Sequence, residues 1–294
     1  MIPISRAGLT AKPTLPDALA ALVDAAAWLD AHGCQPVLEE RSAVAAGVPQ
    51  RWMTAPREDL PERVDVVIAF GGDGTLLDAA GAVAHSTADV PLLGVNLGHL
   101  GFLTEVGRAE LTTAMEALLA GRTRTETRLL LDGRLQHEGR EVASRVALND
   151  IVVTRGPLSR MIEIDVSIDD QFLSHVKADG LIVATATGST AYNLSAGGPI
   201  LHPSVDAFVV TPIAAHTLTN RPIVLPATAT VTMRPTVDAS PSDLVITFDG
   251  QHGVPFGRDD VVIVRRAPRV LRFVRTTSRT HFEMLREKLK WGNA

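Results

Sequence analysis

The sequence predicts an α/β N-terminal domain built on a parallel sheet, followed by a β-rich C-terminal domain. Two observations carry this expectation. From Ala7 to Ala120, short apolar runs alternate with stretches of helical periodicity, which is the pattern of a parallel sheet with crossover helices. Near Gly121 the character changes, and from Thr125 to about Val274 strand-like segments follow one another at short intervals. The predicted boundaries are 1–121 for the α/β domain, 122–274 for the β-rich domain and 275–294 for a C-terminal segment. A length of 294 residues suits two modest domains.

The elements follow in order. Ala7–Ala11 reads as a weak first strand. Pro16-Asp17 opens a helix with Leu19, Leu22, Val23 and Leu29 at helical spacing, and Gly33 stops it. Gln35–Glu39 is a short strand and Pro49–Pro61 is loop-like. Val64–Phe70 is a nearly continuous β-branched run, which fits a strand buried on both faces. Gly71–Thr75 is a glycine-rich turn before a helix over Leu76–Ala84. Pro91–Val95 is a second buried strand, and Glu110–Ala120 a second crossover helix.

In the second half, Met161–Ile168 alternates apolar with acidic or polar residues, the mark of a half-exposed strand. Asp169-Asp170 then turns the chain toward Phe172 and Leu173. Strands are predicted at Leu181–Thr185, Phe208–Thr211, Ile223–Leu225, Val231–Met233, Leu244–Phe248, Val261–Val264 and Val270–Val274. His281–Trp291 closes the chain as a helix with Phe282, Leu285 and Leu289 on one face.

Composition narrows the function classes. Hydrophobic residues make up 46% and charged residues 21%, an ordinary globular balance. A net charge of −5 argues against nucleic acid as partner, because duplex binders carry a basic surplus. A single cysteine, Cys34, allows no internal disulfide and fits a reducing cytoplasm. No window approaches the roughly 18 apolar residues needed to span a membrane, so no membrane partner is expected. The histidines form no H-x-x-x-H arrangement, which disfavours zinc. Arg265, Arg266, Arg269, Arg272 and Arg275 form a basic stretch, read as a solvated strand face or subunit contact before a phosphate site.

Three segments carry chemistry. In Gly71-Gly72-Asp73-Gly74-Thr75, glycines allow close backbone approach, and the following helix offers free N–H groups and a positive dipole end to a phosphate. A carboxylate there makes sense if Asp73 acts on a hydroxyl or a metal ion. A tight turn with Asp73 as helix N-cap accounts for the same residues. The spacing is neither G-x-G-x-x-G nor G-x-x-x-x-G-K-[ST], so a Rossmann dehydrogenase and a Walker ATPase lose support. Asn96–Glu105 (NLGHLGFLTE) is a second close-approach loop, or else a compact loop packing its own side chains. In Asp179–Ile200 a buried strand leads into small hydroxylated residues around Tyr192, the only tyrosine. Such groups can bond base edges or phosphates, and Tyr192 can stack on a flat ring.

Taken together, GGDGT, NLGHLGFLTE, Asn149-Asp150, TGSTAYNLSAGGPI and TPIAAHTLTNRPIVLP resemble the bacterial NAD kinase family in order and spacing, over about Ala7–Trp291. The resemblance implies phosphorylation of the 2′-hydroxyl of the adenosine ribose of NAD to give NADP, with ATP or another phosphoryl donor and a divalent ion such as Mg²⁺. It implies that Asp73 is catalytic and that Gly74 lies against the substrate. Asn149 and Asp150 match the family's Asn-Glu pair that holds NAD, with Asp here for the commoner Glu and so a shorter reach. Arg160 and Lys177 fall at basic or polar contact positions, and Asp179 at the acid near the nicotinamide. The run Thr190, Ala191, Tyr192, Asn193, Leu194 and Ser195 matches the segment around the adenosine, and Ala214 and Gln251 match further contacts. A C-terminal segment returning to the first domain and a homodimer or homotetramer are also implied. Whether Asp73 takes a proton or places a metal ion stays open. The rival readings are a lipid kinase sharing GGDGT, a phosphofructokinase-like sugar kinase, and a silent NAD sensor.

Overall fold

The computed structural model describes residues 4–98, 101–155, 161–217, 219–236, 244–276 and 279–292. It divides into two compact units, Met1–Thr127 with Leu271–Ala294, and Arg128–Val270.

The first unit opens with strand β1 (Arg6–Ala11), helix α1 (Pro16–Ala31), β2 (Gln35–Glu39), the short helix α2 (Glu40–Ala45) and β3 (Met53–Ala55). β4 (Val66–Gly71), α3 (Asp73–His85), β5 (Leu92–Asn96), the two-residue β6 (Val106–Gly107) and α4 (Leu111–Leu119) follow. The strands pair in parallel in the order β5, β4, β1, β2, β3. On one face, Leu9, Ile68, Phe70, Leu93 and Val95 pack against Leu22 and Leu29 of α1 and Met115 and Leu118 of α4. The alternate residues of β4 and β5 point to the opposite face, where Leu76 of α3 lies against the α-carbon of Gly94. β4 is buried at every position because helices cover both its faces.

Two sequence expectations need correction here. The loop-like stretch Pro49–Pro61 contains β3 and the start of a 3₁₀ turn at Leu60. β3 exists because β2 offers it a parallel edge, with Val37 opposite Met53, and no local pattern announces such a partner. The helix after GGDG starts at Asp73 rather than Leu76, since Gly72 takes the N-cap position.

The second unit begins within β7 (Arg124–His137), followed by β8 (Arg140–Ala147), β9 (Asp150–Arg155), β10 (Ile162–Ile168), β11 (Gln171–Ala178) and β12 (Gly180–Thr185). The four-residue helix α5 (Tyr192–Ser195) precedes β13 (Ala207–Ile213), β14 (Ile223–Pro226), β15 (Val231–Pro235), β16 (Leu244–Phe248), β17 (Gln251–Phe256) and β18 (Asp260–Arg275). One antiparallel sheet runs β14, β13, β12, β9, β16, β17. A second antiparallel run orders β11, β10, β15 and the first part of β18. Leu181 and Val183 of β12 share one core with Ile164, Val166, Met233 and Val264. Ile182 and Ala184 point the other way, to Val152, Val209 and the partly buried Ala196 and Leu201. The small-residue loop after β12 therefore folds back over the outer face of its own sheet.

Val261–Val264 and Val270–Val274, read from sequence as two strands, belong to one strand, β18. Pro268 gives up a ladder donor without ending the strand, which pairs with β15 through Val262–Val264, with Leu92 of β5 through Phe273, and with β7. The arginine stretch on β18 is paired rather than simply solvated. Arg265 reaches Asp132 at 3.1 Å, Arg266 reaches Asp206 at 3.1 Å, Arg272 reaches Asp89 at 2.9 Å, and Arg275 pairs with Glu105. Helix α6 (His281–Leu289) ends the described chain, started by a reciprocal cap between Thr280 and Glu283. Among the described residues, no helix is long and apolar enough to cross a membrane.

Candidate active site

β4 delivers the chain to Gly71, and α3 departs from Gly72. Asp73, in the first turn, makes no capping bond to its own helix. Its carboxylate turns to the loop after β5. Oδ2 accepts the N–H of Phe102 at 2.8 Å. Oδ1 accepts the N–H groups of Leu103 and Thr104 at 3.1 and 3.0 Å and the Thr104 hydroxyl at 2.9 Å. The buried Asn96 closes the loop from behind, donating to Thr104 Oγ1 at 3.0 Å and accepting from the Gly98 N–H at 2.8 Å. Gly101 is required for this fit, because a Cβ there would lie 1.8 Å from Asp73 Oδ1. The two glycine motifs of the first unit thus form one site, and the N-cap alternative for Asp73 is set aside.

The first turn of α3 is open beside this carboxylate. The helix's own bonding begins with Thr75 and Leu76 donating to Gly72 O. Gly72 and Gly74 are exposed, with no neighbour within 4 Å of where a Cβ would stand. Bare N–H groups at a helix start are suited to an anion. Asp73 Oδ2 carries one hydrogen bond against three on Oδ1, so it retains capacity to accept from a hydroxyl.

In the second unit, Asn149 and Asp150 stand where β8 gives way to β9. The anchor for this joint is Asp249, at the turn between β16 and β17, with φ of +52° followed by Gly250 at +69°. Its carboxylate accepts the N–H groups of Leu148, Asn149 and Asp150 at 2.9, 2.7 and 3.1 Å. From β12, Thr185 donates its N–H to Asn149 O and its hydroxyl to Leu148 O. Gly188 packs flat on the same carbonyl, since a Cβ there would lie 2.0 Å from Asn149 O. Asp150 is 4% exposed, and burial, with the charge of Asp249 added, pushes its carboxyl up to about 7. Burial also raises Asp249, against the three N–H groups that favour its charge.

The loop after β12 is ordered by its own polar side chains. Ser189 donates to Ala186 O and accepts the N–H of Leu201. Asn193 is fully buried; its amide donates to Ser189 O and Pro199 O at 3.0 Å each and accepts the Thr211 hydroxyl at 2.7 Å. Tyr192 and Ser195 are exposed, while Thr190, Ala191 and Leu194 are half-buried. Gln251 is half-buried at the start of β17, two residues after Asp249.

Of the remaining sequence-predicted residues, Asp179 and Ala214 lie at the opposite end of that sheet, and Lys177 lies on β11 of the other sheet. β9 runs antiparallel to β12, with Asp150 opposite Ala184 and Thr154 opposite Gly180. Strands of this length span roughly 17–20 Å. Asp179 lies just before β12, with Arg155 Nε at 3.7 Å and His216 Nε2 at 3.9 Å. Lys177 pairs with Glu163 at 3.0 Å, and Ala214, in the left-handed region at φ +46°, follows β13. Arg160 lies outside the described residues, as do His99 and Leu100 of the second motif.

Sequence reasoning missed Asp249, Thr104, Arg155 and His216. Only Asp249 left a signal, in the Asp-Gly turn dipeptide it forms with Gly250.

Residues 24–123 match the ATP-NAD kinase N-terminal domain and residues 148–276 the ATP-NAD kinase C-terminal domain. The chain belongs to the NAD kinase family. It is 42% identical to an NAD kinase of Syntrophotalea carbinolica over 98% of this chain and 99% of that one. It is 44% identical to an NAD kinase of Geotalea daltonii over 90% and 91%. Among solved structures, a yeast NADH kinase complexed with NADH superposes with a TM-score of 0.90 at 27% identity, covering 100% of this chain and 89% of that one. An NAD kinase from Archaeoglobus fulgidus, in complex with ATP, shares the fold with a TM-score of 0.76 at 23% identity, covering 97% and 98%. The activity is that of an NAD kinase, a phosphotransferase. The lipid-kinase and sugar-kinase readings fall with the near full-length match, because they rested on GGDG alone. The predicted α/β and β-rich architecture agrees with these relatives.

Proposed function

We propose that the chain transfers the γ-phosphoryl group of ATP to the 2′-hydroxyl of the adenosine ribose of NAD, with Asp73 as the residue that receives the hydroxyl proton. The observation that carries this reading is the setting of Asp73. Its carboxylate is held by three backbone N–H groups and one hydroxyl, and it stands beside the bare first turn of α3. A carboxylate fixed so firmly beside an anion-binding helix start suits in-line transfer, which mainly needs alignment and charge neutralisation. As the ribose oxygen bonds to phosphorus, the bond to the ADP oxygen breaks and the hydroxyl proton passes to Asp73 Oδ2. Transfer of the proton late in the step suits a carboxylate, which is a weak base toward a free alcohol.

A divalent ion, Mg²⁺ by its preference for oxygen, would neutralise the donor phosphates when bound. Among the described residues no group of three or more His, Cys, Asp and Glu forms a cage for it. An ion carried mainly by the phosphate oxygens of the donor would fit this donor set. Asn149 and Asp150 are assigned to the hydroxyl and adenine groups of NAD, Tyr192 to stacking, and Gly74, Thr190, Ala191, Leu194 and Ser195 to close contact. Asn193 serves by holding the loop. Lys177, Asp179, Ala214 and Gln251 keep the contact roles that the family pattern suggests, and so does Arg160 on sequence grounds. A homo-oligomer working in the cytoplasm completes the proposal.

The test is incubation of purified protein with NAD⁺, ATP and Mg²⁺, followed by chromatography for NADP⁺, with and without chelator. Formation of NADP⁺ that stops on chelation is expected. NAD⁺ binding without turnover under any donor or metal would replace this reading with a silent sensor.

A further inference from the structure

The loop that holds Asp73 is itself gripped from the C-terminal end of the chain. Three cations of that segment converge on it. Arg275, whose side chain is 13% exposed, pairs with the Glu105 carboxylate, itself buried. Its Nη2 also donates to Arg279 O at 2.8 Å, which ties Arg279 to the same cluster. Arg279 donates through Nη1 to Glu105 O at 3.5 Å, and its Nη2 lies 3.6 Å from Glu110. Lys288 of α6 places its ammonium over the Phe102 ring, 5.7 Å from the centroid, within the range of cation–π attraction. Phe102 supplies the first of the three N–H groups that bind Asp73, and Glu105 directly follows the last.

We infer that Arg275, Arg279 and Lys288 are positioning residues for the transfer step, holding the Phe102–Glu105 loop so that its N–H groups fix the Asp73 carboxylate. The inference rests on the reading of Asp73 given above. The loop is irregular and follows Gly98 and Gly101, so its own backbone does little to fix the direction of its donors. A buried ion pair such as Arg275–Glu105 adds little net stability, because desolvation offsets attraction, but it holds a single geometry. Misplacement of a reacting group by about 1 Å costs on the order of a hundredfold in rate, so a grip on the loop has a direct outlet in turnover.

The experiment is a set of double-mutant cycles on the full chain. Arg279→Ala and Lys288→Ala are made alone and combined with Asp73→Asn, with Arg275→Lys as a variant that keeps the charge and loses the planar fork. Steady-state kcat, KM for NAD⁺ and thermal midpoint are measured for each. Arg279→Ala is expected to lower kcat by about ten- to a hundredfold while KM for NAD⁺ moves less than about threefold. In the Asp73→Asn background the same change should cost less than about twofold, because groups acting as one unit are not additive. An Arg279→Ala enzyme with normal kcat overturns the inference, even if its thermal midpoint falls. So does a loss that multiplies in full on top of Asp73→Asn. Should Asp73→Asn alone keep normal turnover, the reading of Asp73 fails first, a result separable from the others because it needs no C-terminal variant. Arg279 and Lys288 are only partly buried, so their variants remain informative even if Arg275→Lys fails to fold.

Discussion

Replacing Asp73 by asparagine removes one charge and converts one acceptor into a donor. In the better rotamer, the new carbonyl oxygen takes the place of Oδ1 and keeps Leu103 N–H, Thr104 N–H and the Thr104 hydroxyl. The new NH₂ then faces the Phe102 N–H, which loses its acceptor. The flipped rotamer is worse, since it opposes the amide to three donors. A hydrogen bond to a charged group contributes about 1.5–3 kcal/mol and a neutral one about 1. One lost bond and three weakened ones therefore sum to about 3–9 kcal/mol, and because Asp73 is only half-buried the lower end, about 3–4 kcal/mol, is expected. For a unit of this size, that is roughly 5–15 °C in thermal midpoint. Turnover should fall further, by roughly 10²–10⁴, the usual worth of a positioned acid–base group. NAD affinity should change far less, because the Asn149 joint and the loop after β12 are untouched. Thermal unfolding, equilibrium NAD⁺ binding and an NADP⁺ assay on the same preparation measure all three. A variant that melts with the parent and turns over normally would refute both the clamp and the assignment; a helix N-cap would have predicted that outcome, since asparagine caps nearly as well as aspartate.

Three further outcomes are expected. Gly101→Ala should lower turnover at least tenfold by about the same misplacement argument, since its Cβ would lie 1.8 Å from Asp73 Oδ1 and 2.4 Å from Thr104 Oγ1; normal kinetics would mean that the loop yields freely. Asn193→Ala should lower unfolding stability by about 3 kcal/mol, from three buried hydrogen bonds lost, and denaturant titration showing less than about 1 kcal/mol would count against that network. The pH dependence has a defined sign. Burial raises the Asp150 carboxyl from 3.8 to about 7, so between those values the folded chain keeps a proton that the unfolded chain has released. Stability from this group is therefore fully present below about pH 4 and is lost as pH rises through about 7, by at most about 4 kcal/mol. Asp150→Asn should flatten that slope and be the more stable protein at pH 8, and urea midpoints at pH 5 and pH 8 decide the matter; a slope unchanged by the substitution would remove Asp150 as its source.

What the sequence determined by itself was whatever depends on local period and local chemistry. The run expected at Val64–Phe70 forms a buried strand at Val66–Gly71, the alternation expected at Met161–Ile168 forms a strand at Ile162–Ile168, and Leu22 and Leu29 lie buried on α1 as their helical spacing requires, because each records which side of the backbone meets a core. The motif segments were equally legible, since glycine, aspartate and small hydroxylated residues announce turns and close approach at their own positions. Tertiary structure alone decided what those residues meet. Asp73 could be read from sequence as an acting carboxylate or as a cap for its own helix, and in the fold it is the acceptor for a loop about 30 residues away. Asn193 looked like a ligand contact, and its amide is consumed by Ser189, Pro199 and Thr211. Asp249 was hidden in a turn dipeptide, yet it fixes three N–H groups some 100 residues earlier. β3 and the continuity of β18 likewise came from partner strands. The physical reason is common to all of these. A hydrogen-bond acceptor or a strand edge has no sequence period of its own, and its partner is chosen only when the packed core brings distant backbone within about 3 Å.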